Sequence, residues 1–208
     1  MTRQKKRVKV IYWVVDVQND FMKPDGALAV KDADTIVENL KNKYNDFSSK
    51  GMQIVFTKDW HFEKSEELSS TPDYKTTFPN HCMAYTDGAK LIDIYDGVED
   101  SVEELDWTQY YNYQDLCEIA KSKEIIIKKD KFDVFAGNKY TEQLLSIIQP
   151  DVVYVSGVAT NVCVDQAVMG LLKRGIEVRV ITNTIKELPN LPVHEVIDVW
   201  VSNGAKLI

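Results

Sequence analysis

Asp151-Val152-Val153-Tyr154-Val155-Ser156-Gly157-Val158-Ala159-Thr160-Asn161-Val162-Cys163 runs directly into Val164-Asp165-Gln166-Ala167-Val168-Met169-Gly170-Leu171-Leu172-Lys173-Arg174 and stops at Gly175. The first six residues are rich in β-branched and aromatic side chains, which predicts a buried strand. The second run reads as a helix, with glycine at its C-terminal stop. Cys163 therefore stands where the carboxyl end of a strand turns into a helix. Backbone N–H groups are unpaired there, and the helix dipole favours negative charge. Both effects favour thiolate, the nucleophilic form, although a cysteine here also serves as a small buried apolar residue.

Working outward, the same alternation recurs. Val8 to Val17 is a continuous apolar run, as expected for a central parallel strand covered on both faces. Ile36, Val37, Leu40, Tyr44 and Phe47 form one helical stripe within Asp34 to Ser49, and Gly51 follows as a stop. Further strands are predicted at Gln53–Thr57, Glu124–Lys128, Glu177–Thr182 and, shorter, Ala205–Ile208. Asn138 or Thr141 is expected to cap a helix carrying Leu144, Leu145 and Ile148, and Pro192 to Ser202 forms the last helix. Strands alternating with helices predict an α/β fold: a doubly wound, six-stranded, mainly parallel sheet with helices on both faces. No repeat or linker divides residues 1–208, so a single domain is expected. Phe62 to Thr86 reads as a long polar loop, often a functional feature in a compact domain. Asp96 to Asp106 is acidic, and Tyr110, Tyr111 and Tyr113 follow; the charge run reads as a solvated face.

Bulk properties exclude several function classes. A net charge of −7 argues against nucleic acid or an anionic membrane as partner. Three cysteines (Cys82, Cys117 and Cys163) without a secretory segment favour a reducing, cytoplasmic setting. The basic start of Met1 to Val17 is followed by an apolar run too short for a membrane span, broken at Asp16.

In open α/β sheets ligands bind beyond the carboxyl ends of the strands. Asp16, Asp59 with His61, Lys129 and Cys163 all fall at such ends. A carboxylate can take the thiol proton and return it to a leaving group, an ammonium steadies both anions, and a thiolate attacks a carbonyl to form a thioester. Amides at Ala159 and Cys163 are placed to hold the oxyanion. Lys128 is the alternative lysine, but neighbouring strand residues point to opposite faces, so only one of the two can serve. Asp59, His61, Glu67 and His81 make a second cluster. Two of three histidines fall in one loop region, and imidazole with carboxylate suits zinc, iron or manganese. Glu63 and Glu66 compete with Glu67 for the fourth position. His194 reads as an ordinary helical histidine.

Taken together, Asp16-Val17-Gln18-Asn19-Asp20-Phe21, Thr57-Lys58-Asp59-Trp60-His61, Phe78-Pro79-Asn80-His81-Cys82, Lys129 with Phe132-Asp133-Val134-Phe135, and the Gly157–Cys163 stretch resemble the isochorismatase-like cysteine hydrolases, and among them the nicotinamidases. The resemblance runs in family order from about residue 8 to 182. It implies a Rossmann-like fold, a catalytic triad of Asp16, Lys129 and Cys163, and a cis peptide between Val158 and Ala159 that would aim the Ala159 amide into the oxyanion hole. It implies one divalent metal ion on Asp59, His61 and His81, usually zinc or iron, taking the pyridine nitrogen of nicotinamide. Phe21 and Phe78, with Val158, are the expected substrate contacts. Many members carry histidine where this chain has Glu67, and the acidic, Tyr-rich segment looks longer than usual, which would reshape the pocket rim or the subunit contact. The expected activity is hydrolysis of nicotinamide to nicotinate and ammonia. The rivals are another small amide, carbamoyl or ureido substrate, or a silent binding protein. The expected partners are a small-molecule amide and further copies of the chain.

Overall fold

A computed structural model describes residues 8–95, 97–98, 102–189 and 192–208. Its strands are β1 (Val10–Val15), β2 (Gln53–Asp59), β3 (Glu103–Asp106), β4 (Glu124–Lys129), β5 (Val152–Val158), β6 (Glu177–Lys186) and β7 (Lys206–Leu207). They form one sheet in the order β3-β4-β2-β1-β5-β6-β7, with every neighbouring pair parallel. The sequence predicts six of these strands and misses β3.

The central strand shows why the sheet is doubly wound. Successive side chains of a strand point to opposite faces. Ile11, Trp13 and Val15 pack on one face with the helices Tyr113–Ile119, Thr141–Ile148, Cys163–Lys173 and Val193–Ser202. Tyr12 and Val14 pack on the other with the helix Val37–Ser49 and the loops around Trp60 and Leu91. All five are buried, so β1 has no polar side, as its unbroken apolar run requires.

The missed strand lies within the segment expected to be a solvated face. Glu103–Asp106 pairs with Ile125–Lys128 at the sheet edge. Leu105 is fully buried, and Lys128 Nζ bonds Glu104 Oε2 at 2.6 Å with Asp106 Oδ2 at 3.5 Å. Of the charges that suggest a solvated face, Glu104 and Asp106 are partners of the lysine next door, while Glu103 is exposed. Asn138 secures the same edge. Its Nδ2 donates to the carbonyls of Leu105 and Lys128, both at 2.8 Å, and Oδ1 accepts from Tyr140 N. It is therefore not the N-cap of the helix that follows, and neither is Thr141. The helix Thr141–Ile148 begins after Tyr140 with no side-chain cap. Asp96, Glu99, Asp100 and Ser101 of the acidic run lie outside the described residues, as does the basic start before Val8.

From β1 the chain builds outward to β2 and β4 on one side, then returns to β5 and β6 on the other. The switch point lies between β1 and β5, where this architecture opens a crevice. There Gly157 has φ +122°, and a Cβ on it would lie 2.0 Å from the Val15 carbonyl oxygen, so glycine permits the close approach. No described helix is long and apolar enough to cross a membrane.

Candidate active site

Four neighbouring strands deliver one group each to this crevice. β1 ends and the chain turns at Asp16, whose φ of 48° is left-handed, a region that aspartate enters more readily than most residues. β2 ends on Asp59, β4 on Lys129, and β5 leads through Ala159-Thr160-Asn161-Val162 to Cys163, the first residue of its helix. Lys129 Nζ lies 2.9 Å from Asp16 Oδ2, bonds Asp59 Oδ1, and points at Cys163 Sγ from 3.8 Å. All four residues are buried. Lys128 points away to Glu104, so the strand alternation selects Lys129. The Val158–Ala159 peptide is cis, as the resemblance implies. Among the described residues, neither the Ala159 nor the Cys163 amide enters the backbone hydrogen bonds that fix this turn.

The electrostatics revise the reading of Cys163. Burial pushes its thiol well above the ordinary range; Lys129 opposes the rise, while Asp16 and Asp59 add to it. Desolvation and the two carboxylates favour the thiol, so attack by the sulfur calls for a base to take its proton. Burial also raises Asp16, against Lys129 and with the repulsion of Asp59. Burial works against Asp59 too, but the Lys129 ammonium beside it holds it well below the usual carboxylate range. Burial likewise opposes the Lys129 charge, and the surrounding anions keep it protonated. The result is one fixed carboxylate, one fixed ammonium, and an Asp16–Cys163 pair between which a proton can pass. Thr57 Oγ1 donates to Asp16 Oδ1 at 2.6 Å, leaving Oδ2 for Lys129 and the sulfur.

Asp59 faces a second centre. Its Oδ2 lies 3.7 Å from His61 Nε2 and from His81 Nε2, and ligand atoms of the three residues all lie within 4.8 Å of one another. His81 Nδ1 is 2.7 Å from the Pro79 carbonyl, which fixes its proton there and leaves the Nε2 lone pair facing the carboxylate. Both ring nitrogens of His61, Asp59 Oδ2 and Glu67 Oε2 are buried without hydrogen-bond partners. Buried polar atoms are normally paired. A carboxylate oxygen and imidazole lone pairs turned on one point fit a divalent metal ion. Glu67 lies outside this tight trio. Its Oε1 accepts from Phe132 N at 2.9 Å, and burial raises it to about 7. Glu66 is exposed and pairs with Lys131 at 3.1 Å, so of these two glutamates Glu67 is the inward one.

Between the two centres is a small cavity lined by Phe21, Leu28, Val30, Phe78, Phe132 and Leu188, with Asp59, His81, Ala159, Val162 and Cys163 in its wall. Phe21 and Phe78 lie where the sequence reading puts them. Val158 does not line the cavity; it is fully buried in the core behind the turn. The apolar wall was missed because Leu28, Val30 and Leu188 come from loops whose direction no periodicity encodes. Thr57 was findable: it shares a strand face with Asp59 two residues on.

Residues 113–207 match the isochorismatase domain model. Among curated proteins, the chain is 27% identical to the nicotinamidase/pyrazinamidase of Mycobacterium tuberculosis over 177 residues, covering 82% of each chain. It is 26% identical to the nicotinamidase of Saccharomyces cerevisiae over 208 residues, covering 86% of this chain and 88% of the other. The chain is thus similar to curated nicotinamidases over most of its length and to the isochorismatase domain over residues 113–207. A solved structure, the pyrazinamidase of Pyrococcus horikoshii in complex with zinc, superposes with a TM-score of 0.73 at 26% identity, covering 96% of this chain and 98% of that one.

Proposed function

We propose that this isochorismatase-like chain is a metal-containing cysteine amidase that hydrolyses nicotinamide to nicotinate and ammonia. The observation that carries the reading is the adjacency of two centres on one aromatic-walled cavity: a buried Asp–Lys–Cys unit and an Asp–His–His donor set sharing Asp59. The relatives named as nicotinamidases support the same substrate class. A flat aromatic amide suits walls of Phe21, Phe78 and Phe132 better than a charged linear ureido compound does.

Asp16 takes the Cys163 proton as the sulfur attacks the amide carbon. The oxyanion develops toward the Ala159 and Cys163 amides. Collapse breaks the C–N bond, and Asp16 returns the proton to the departing ammonia, leaving a thioester on Cys163. Asp16 then takes a proton from water as it attacks the thioester carbon. The C–S bond breaks, nicotinate leaves, and the proton returns to sulfur. Lys129 stays charged throughout and steadies the anions formed beside it.

Asp59, His61 and His81, with Glu67 as the fourth candidate, would hold the ion, zinc first and iron or manganese next. When bound there, it supplies a Lewis-acid position for the pyridine nitrogen. A cytoplasmic setting accords with three unpaired cysteines, and a homo-oligomer with exposed Val199, Val201, Leu207 and Ile208 at the β7 end. The test is ammonia release from nicotinamide and benzamide alongside the metal content of the protein. Nicotinamide should be preferred at least about tenfold, in a protein holding about one divalent ion, because benzamide lacks the ring nitrogen. Equal turnover of both would remove the nicotinamide assignment.

A further inference from the structure

Gln18 sits in the first sequence motif and takes no part in the chemistry above, yet its side chain is fully buried with both polar atoms in use. Its Oε1 accepts from Asp59 N at 2.7 Å, while its Nε2 donates to Asp59 O at 2.9 Å and to Ala89 O at 2.9 Å. The backbone explains the need. β1 and β2 pair as far as Val15 and Thr57, and Asp16 N still reaches Thr57 O at 3.2 Å. The chain then turns away, with Asp16 at φ 48°, to carry its carboxylate into the crevice. In a parallel ladder, alternate residues present N–H and C=O to the same neighbour. Asp59 N and O therefore face the space that β1 has just left. Without a partner they would be buried orphans. The carboxamide of Gln18 offers one donor and one acceptor side by side, and so stands in for the missing strand.

We infer that Gln18 is a positioning residue for Asp59, acting through it on both centres. Asp59 is held on its other side by β4, where it pairs in register with Lys129. The Gln18 clamp fixes the backbone from which the Asp59 carboxylate reaches Lys129 with Oδ1 and the two histidines with Oδ2. The bond to Ala89 ties the 87–91 segment to the same point. The metal half of this inference rests on Asp59 being a metal ligand; the lysine half rests only on the geometry.

The test is Gln18→Met, which keeps an unbranched side chain and removes all three hydrogen bonds, with Gln18→Glu as a near-isosteric second variant that keeps only the acceptor. Two quantities are read on folded protein: zinc affinity by competition with a chromophoric chelator, and kcat for nicotinamide at saturating zinc. Loss of a supporting hydrogen bond behind a ligand costs about 10–100-fold in metal affinity or activity, and a loss of that size in both is expected. A residue that only stabilised the fold would lower Tm and leave both quantities within about twofold, which would overturn the assignment. Should neither variant fold, amide exchange on the metal-free wild type decides. Asp59 N–H should be as protected as the amides of β2, and fast exchange there overturns the clamp. Wild-type protein that binds no zinc would refute the metal reading, and kcat alone would then judge Gln18.

Discussion

Replacing Lys129 with methionine removes one charge and keeps most of the side-chain volume, so it isolates what the ammonium does. In the wild type that charge sits 2.9 Å from Asp16 Oδ2 and bonds Asp59, with all three residues buried. At an effective dielectric of about 20, Coulomb's law gives roughly 6 kcal/mol of gross attraction for the Asp16 pair alone. Much of that offsets desolvation, and removing one partner of a buried pair costs a net of about 3–5 kcal/mol. That is a large part of the stability of a typical domain. The sign of the pH dependence follows. Burial and the repulsion of Asp59 already hold the folded pKa of Asp16 above its unfolded value against Lys129, and removing the ammonium raises it further. The folded state then keeps a proton that the unfolded state has released. Stability of the variant falls as pH rises through that window, and the deficit narrows as pH drops toward about 4. Urea unfolding of metal-free wild type and Lys129→Met, at about pH 7 and about pH 5, measures it. Activity should fall by about 10²–10⁴-fold, because a protonated Asp16 cannot take the thiol proton. A deficit under about 1 kcal/mol at neutral pH, the size of a surface pair, that does not narrow in acid would refute this reasoning.

Two further outcomes are expected. Glu67, raised to about 7 mainly by burial, holds its proton in the folded metal-free protein after an unfolded glutamate has lost it, so it costs the apo form stability as pH rises through that range. Glu67→Gln should therefore flatten the apo stability profile between about pH 5 and 7 while weakening zinc binding, as thermal unfolding with and without zinc would show. Leu105→Ala, at a fully buried position of the edge strand, should cost about 2–5 kcal/mol in urea unfolding; a loss below about 1 kcal/mol would mean that β3 does not pack as described.

What the sequence discloses follows from how each feature is encoded. Strands buried on both faces are written as unbroken apolar runs, so β1, β4 and β5 are legible and with them the ends that carry Asp16, Lys129 and Cys163. β3 is not, because four residues with three acids carry only Leu105 as a buried signal, and their pairing with Lys128 is a long-range fact. The histidines are legible because the chain has only three. The choice among Glu63, Glu66 and Glu67 is not, since loop geometry decides which side chain turns inward. Gln18 and Thr57 act through backbone and carboxylate partners 41 residues away, and their roles become visible only where β1 parts from β2. The environment of Cys163 is only partly legible, because a helix terminus is local and readable, whereas burial beside Asp16 and Asp59 is not.

The nucleophilic role of Cys163 is tested most directly by acid-quenching the wild-type protein during nicotinamide turnover and mapping acyl adducts by mass spectrometry. A nicotinoyl thioester on the peptide carrying Cys163 is expected, with no adduct and no ammonia release from Cys163→Ala. Steady ammonia release by Cys163→Ala, or an adduct on Cys82 or Cys117 instead, would contradict it.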